Sequence, residues 1–220
     1  MKRNRKVMIA VAMTLICGAV TFAAKNDFFH GMNEWFNNKL GGVNAIAYEV
    51  SKYAGYASFI VVAAFALMGF VQLIKRKSLF KVDREIICMG FLYIVTLGLY
   101  AAFTKIAITY RPAMAPGETI LEPSFPSSHT VLAYVVCVSA IMVLDKYITN
   151  KTCKYVVNGV LNILWLTTLI FRTQSGVHWI SDILAGIIYA VTLVLWYNAA
   201  IDRGDGKNEK LPTGGKHYKK

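Results

Sequence analysis

At 220 residues, 56% of them hydrophobic and 16% charged, the chain concentrates its charges between long uncharged runs, a distribution that excludes an ordinary soluble domain and points to a membrane-spanning protein. The formal net charge of +12 reads as an orientation signal with contact to anionic lipid. It does not read as a nucleic-acid footprint, which would gather charge on one folded soluble face.

Runs long enough to cross a hydrocarbon core as helix, about 17 to 25 residues, are Val7 to Ala24, Tyr53 to Ile74, Ile86 to Thr104, Ser127 to Leu144, Tyr155 to Phe171 and Ile183 to Ile201. The first also imitates a cleaved signal peptide, with its basic start and Phe22-Ala23-Ala24; as a retained span it makes six helices with both termini on one side. Between the first two runs, Asp27 to Ser51 carries Phe28, Phe29, Trp35 and Phe36 among Asn, Lys and Gly. This is the mix of a segment lying in the membrane interface, as an aromatic belt or as a flap guiding lipid to a site. Cys17, Cys88 and Cys137 fall within spans and Cys153 in the fourth connection, so no extracytoplasmic disulfide is expected, and no Cys/His spacing suits a metal. The expected architecture is all-α, an integral membrane six-helix bundle forming one domain over 1–201. A polar, Gly- and Lys-rich stretch, 202–220, is expected to be a disordered cytoplasmic tail.

Orientation follows from the basic residues. Four Lys/Arg precede the first span, five fill the second connection (Lys75, Arg76, Lys77, Lys81, Arg84), three the fourth (Lys146, Lys151, Lys154) and six follow the last span. The opposite side holds six: Lys25, Lys39, Lys52, Lys105, Arg111 and Arg172. The positive-inside rule therefore puts the termini in the cytoplasm of a plasma or inner membrane.

Three polar clusters sit at the ends of apolar runs, all on the outward side. The third, Arg172 to Asp182, places His178 and Asp182 four residues apart, on one face of a helix beginning near Trp179 or Ile180. A carboxylate accepting from one imidazole nitrogen leaves the other free as nucleophile or base, and Arg172 supplies a planar fork suited to phosphoryl oxygens. Such a pair at a helix start is also a common structural device. The second cluster, Pro126-Ser127-Ser128-His129, opens a helix whose first amides have no internal partners and point outward at the positive end of its dipole. Ser127 and Ser128 add hydroxyls, and His129 is placed to deliver a proton to a leaving oxygen; a plain Pro/Ser helix cap is the alternative. In the first cluster Lys105 and Arg111-Pro112 add two cations, with Glu118 and Glu122 as available counter-charges. Together these groups form an inventory for metal-independent phosphoryl transfer through a phosphohistidine.

The order Lys105…Arg111-Pro112, Pro126-Ser127-Ser128-His129, then Arg172, five residues, His178, three residues, Asp182 resembles the three-part signature of the type 2 phosphatidic acid phosphatase superfamily, which includes membrane lipid phosphatases and the vanadium haloperoxidases. The likeness runs from Lys105 to Gly186, and the six-span layout extends it to nearly the whole chain. It implies that Arg111, Arg172 and Lys105 clamp the phosphate, that Ser127 and nearby backbone donate to it, and that His129 protonates the leaving group. His178 would then attack phosphorus with Asp182 orienting it, with no metal and no cofactor. The sequence departs from the pattern at three points. Five residues rather than six separate Lys105 from Arg111, which on a regular helix leaves the two about 120° apart. Ser128 stands for the usual glycine, and Phe171 for the usual serine.

By this resemblance the partners are the bilayer and a lipid phosphate, with no nucleic acid. Undecaprenyl pyrophosphate is the first substrate, ahead of phosphatidylglycerol phosphate, phosphatidic acid and lipid A phosphates. The alternatives are phosphotransfer between lipids, non-catalytic binding or transport of a lipid phosphate, and haloperoxidase chemistry.

Overall fold

The structure, a computed structural model, describes residues 3–202; most of the expected tail lies outside the described residues. Seven α-helices follow in chain order: α1 (Arg3–Lys25), α2 (His30–Leu40), α3 (Ala45–Arg76), α4 (Arg84–Ile106), α5 (Ser128–Tyr147), α6 (Lys151–Gln174) and α7 (Ile180–Ile201), with a short 3₁₀ turn at Leu79–Lys81. All except α2 are long and apolar enough to cross a membrane, and each expected run falls within one of these six or begins one residue before it. The fold is an all-α, multi-pass membrane bundle.

Small residues let the backbones approach, as expected where lipid offers no hydrophobic drive between helices. On α1, Ala10, Cys17 and Ala24 recur every seven positions and are the buried residues. They face α7, where Cys17 Sγ lies 3.3 Å from Thr192 Oγ1 and Thr21 Oγ1 lies 2.7 Å from Tyr189 OH. On α3 the buried stripe begins Ala47, Tyr48, Ser51, Gly55, Ser58. Helices α5 and α7 are the most enclosed and pack on each other, with α1 and α4 against α7 and α3 and α6 against α5. Large apolar side chains such as Ile60, Leu67, Phe91, Ile94 and Ile163 remain outward, the surface a bilayer would cover.

Both ends of the described chain meet at one end of the bundle, where Lys6 pairs with Asp202 at 2.6 Å. Asp83 organises the connection between α3 and α4. Burial alone would raise its pKa, but hydrogen bonds from Arg76, Gln72 and Tyr147 and the charge of Lys146 bring it down to about 2.

The segment from Asp27 to Ser51, expected as one interfacial stretch, divides in two. Helix α2 ends at Gly41, whose φ of 75° is the left-handed cap that glycine adopts without strain. Helix α3 then starts eight residues before the expected span, because the Asn44 side chain accepts from the Ala47 N–H at 3.0 Å and caps it.

Candidate active site

Three chain segments converge at the end of the bundle opposite the Lys6–Asp202 pair. The first is the connection 107–127, folded on itself by an isolated antiparallel bridge between Tyr110 and Pro123. The Arg111 N–H donates to the Glu122 carbonyl at 3.1 Å and the Ser124 N–H to the Thr109 carbonyl at 2.9 Å. Asp182 ties this loop to α7: its Oδ1 accepts from Thr109 Oγ1 at 3.2 Å and its Oδ2 from the Trp179 N–H at 3.0 Å. The Trp179 indole N–H donates in turn to the Tyr110 carbonyl at 2.8 Å.

The second segment is the start of α5. Ser127 donates its N–H to the Asp182 carbonyl at 3.0 Å, so the N-termini of α5 and α7 are clasped. Gly186, one turn along α7, permits this: a Cβ there would stand 3.2 Å from the Ser127 carbonyl oxygen. The third is the turn between α6 and α7, where Gly176 adopts φ 69° with its α-carbon almost against Gly42, and the Asn44 N–H donates to the Ser175 carbonyl at 3.1 Å. Helix α2 supports the same corner from outside, its Asn33 side chain accepting from the Ser181 N–H at 3.1 Å.

These segments bring Arg111, His129, Arg172, His178 and Asp182 together. His178 Nδ1 lies 3.6 Å from Asp182 Oδ2, with the two side chains 3% and 0% exposed. Burial, followed by the charges of Arg172 and Arg111, holds the His178 imidazole well below its ordinary pKa, so it is neutral and its lone pair available. Arg172 is buried with its guanidinium carbon 5.3 Å from the centre of the Tyr48 ring, a cation–π seat. Arg111 Nη2 meets Glu122 Oε2 at 2.6 Å. His129 packs on Gly55, where a Cβ would come within 2.8 Å of the ring's Cδ2.

Among the described residues, ten buried side-chain N or O atoms complete no hydrogen bond, and seven belong to this cluster: two on Arg111, two on Arg172, one on His129 and both ring nitrogens of His178. The four guanidinium nitrogens among them are unmet donors, costly when buried. Their convergence marks a place for an oxygen-rich anion. The cavity beside them, about 360 Å³, is lined by the polar side chains of Arg111, Glu122, Ser124, Ser128, His129 and His178. Phe59, Leu97, Tyr100, Phe103 and Leu132, from α3, α4 and α5, also line it.

Two expected phosphate ligands are placed differently. Lys105 is exposed and is not among the residues lining the cavity. Its offset from Arg111 is not a matter of helical phase, because α4 ends at Ile106 and Ala107 turns the chain with φ 46°. Ser127 is wholly buried; its N–H is used on Asp182 and its Oγ accepts from Thr130 at 3.0 Å, leaving its own hydroxyl proton as the one group to give. Ser128 lines the cavity instead. Sequence reasoning missed Thr109, Ser124, Tyr48 and Gly55. The last two fall on one helical face seven residues apart, a signal that the late start assigned to α3 concealed.

The family model of the PAP2 superfamily matches residues 85–204. No curated protein matches the sequence significantly. Among solved structures, the crystal structure of the first transmembrane PAP2 type phosphatidylglycerolphosphate phosphatase from Bacillus subtilis is similar, with a TM-score of 0.62 and 18% identity, covering 86% of this chain and 93% of that one. That likeness speaks for the fold; the family match spans more than half of the chain and takes in Arg111, His129, Arg172, His178 and Asp182. The chain belongs to the PAP2 superfamily, on a membrane-spanning fold.

Proposed function

We propose that the chain hydrolyses the terminal phosphate of a membrane lipid through a phosphohistidine on His178. The observation that carries this is the convergence of two arginines and two histidines whose buried polar atoms complete no hydrogen bond, beside a cavity that apolar side chains also line. Arg111 and Arg172 hold the phosphoryl oxygens and carry the charge a metal would otherwise balance. The amides opening α5 and the Ser128 hydroxyl add donors, with Ser127 giving its remaining proton.

Neutral His178 attacks phosphorus while Asp182 fixes its ring. The bond to the lipid oxygen breaks as His129 gives that oxygen a proton. His129, now neutral, takes a proton from water as the water oxygen attacks the phosphohistidine; the N–P bond breaks, inorganic phosphate leaves and His178 is restored. Water as the acceptor makes this hydrolysis, and a lipid hydroxyl in its place would make it transfer.

The apolar cavity wall between α3 and α4, with Phe59 and Tyr100 partly outward, suits an acyl or prenyl chain approaching from the bilayer. The distribution of Lys and Arg supports a site on the extracytoplasmic side of a plasma or inner membrane, with the termini cytoplasmic. Undecaprenyl pyrophosphate is the first substrate, on the layout of a small stand-alone enzyme. Phosphatidylglycerol phosphate is the second, favoured by the substrate of the solved neighbour. Phosphate release in EDTA across both lipids, phosphatidic acid and a lipid A phosphate, with His178→Ala alongside, tests the reading. Release that the variant lacks is expected; release that survives it ends the phosphohistidine mechanism.

A further inference from the structure

We infer that Lys52 is the third cation of the phosphate site, in the part that the motif resemblance gave to Lys105; this rests on the lipid-phosphate reading above. On a helix turning about 100° per residue, Lys52 lies about 40° from Tyr48 and Tyr56 and about 20° from Phe59. Those three side chains are the contribution of α3 to the cavity wall. Gly55, less than one turn away, is the seat of His129. Lys52 is not itself a lining residue, but it stands on the one face of α3 whose side chains line the cavity.

Its surroundings fit a phosphate. Lys52 Nζ stands 5.7 Å from the centre of the Tyr48 ring and 5.8 Å from that of Tyr53. The same Tyr48 ring carries Arg172 at 5.3 Å, so two cations flank one aromatic, and the charge of Lys52 also bears on His129. Gathering like charges is unfavourable unless an anion enters among them. At rest, Arg111 has Glu122 at 2.6 Å and Lys52 has Glu49 at 3.4 Å. The Glu49 pair is solvated, its side chains 30% and 41% exposed, which makes it weak and exchangeable. A lipid phosphate entering the site displaces Glu49 and accepts a hydrogen bond from Lys52. Lys105, by contrast, projects from the exposed last turn of α4.

The test uses the full chain in detergent, a short-chain lipid phosphate as substrate and inorganic phosphate as inhibitor and thermal-shift ligand, with Lys52→Ala, Lys52→Arg, Lys105→Ala and His178→Ala. Loss of one charge-assisted contact is expected to raise KM about tenfold or more. Inhibition by phosphate should weaken in parallel and its thermal stabilisation shrink, while the ligand-free Tm holds and Lys52→Arg recovers part of the loss. Wild-type KM and phosphate response in Lys52→Ala overturns the inference, as does Lys105→Ala showing the loss in its place. If wild type releases no more phosphate than His178→Ala, the phosphatase reading is what fails, and the phosphate-induced thermal shift then decides the part of Lys52 by itself.

Discussion

Gly55→Ala separates the chemistry from the fold. A Cβ at this position would stand 2.8 Å from His129 Cδ2, against an ordinary contact of 3.4 Å or more, so the imidazole must retreat by about 0.6 Å. Misplacement of a reacting group by about 1 Å costs on the order of 100-fold in rate, which puts the expected fall in kcat at about tenfold or more. Stability should move the other way or not at all, because alanine is favoured over glycine within a helix by up to about 1 kcal/mol. The assay is kcat on a lipid phosphate and on an aryl phosphate, with Tm measured in parallel. An aryl leaving oxygen is weakly basic and needs little help from an acid, so its rate should fall less. Gly159, with open space around its α-carbon in α6, serves as the control, and Gly159→Ala should match wild type. A Gly55→Ala protein that turns over the lipid within twofold of wild type would refute the seating of His129 by Gly55.

Gly176→Ala should destabilise the chain by about 2 kcal/mol or more, since φ is 69° and the new Cβ would lie 2.3 Å from the Gly42 carbonyl oxygen, backbone against backbone; an unchanged Tm would contradict the tight turn. Glu122→Gln removes the resting partner of Arg111, a partly exposed pair worth roughly 0.2–1 kcal/mol. KM should therefore drop up to about fivefold, and a marked rise would mean instead that Glu122 aligns the guanidinium or meets the substrate. The imidazole of His178 lies well below its ordinary pKa, so the neutral, nucleophilic form persists as pH falls through about 6.5. With the titration of the substrate divided out, kcat/KM should show no acid limb in that range, the loss on protonating His178 coming only at lower pH; an acid limb centred near 6.5 would show His178 to be unperturbed.

The six spans are legible because a crossing helix needs some twenty apolar residues in a row, a signal that no neighbouring element can override. Helix ends are not, since they depend on single caps: Asn44 starts α3 well before its apolar run, and Ala107 ends α4 with a left-handed turn. Those two ends hid one thing each: the early start of α3 the face bearing Tyr48, Lys52 and Gly55, and the left-handed stop of α4 the separation of Lys105 from the cavity. The pairing of His178 with Asp182 could be read from a four-residue spacing because the helix start fell beside Trp179. Thr109 and Ser124 could not, because their approach to Asp182 is made by a loop folded through long-range hydrogen bonds. Such contacts leave no periodic trace.

The most direct measurement of the central claim is trapping of the covalent intermediate. Protein in EDTA is mixed with a lipid carrying a labelled terminal phosphate, quenched in alkali within the first turnover, and digested for mass spectrometry. Acid-labile, alkali-stable label on His178, approaching one equivalent in the burst and absent from His178→Ala, is the expected result. Phosphate released at the normal rate with no label on His178 at any time in the first turnover would contradict it.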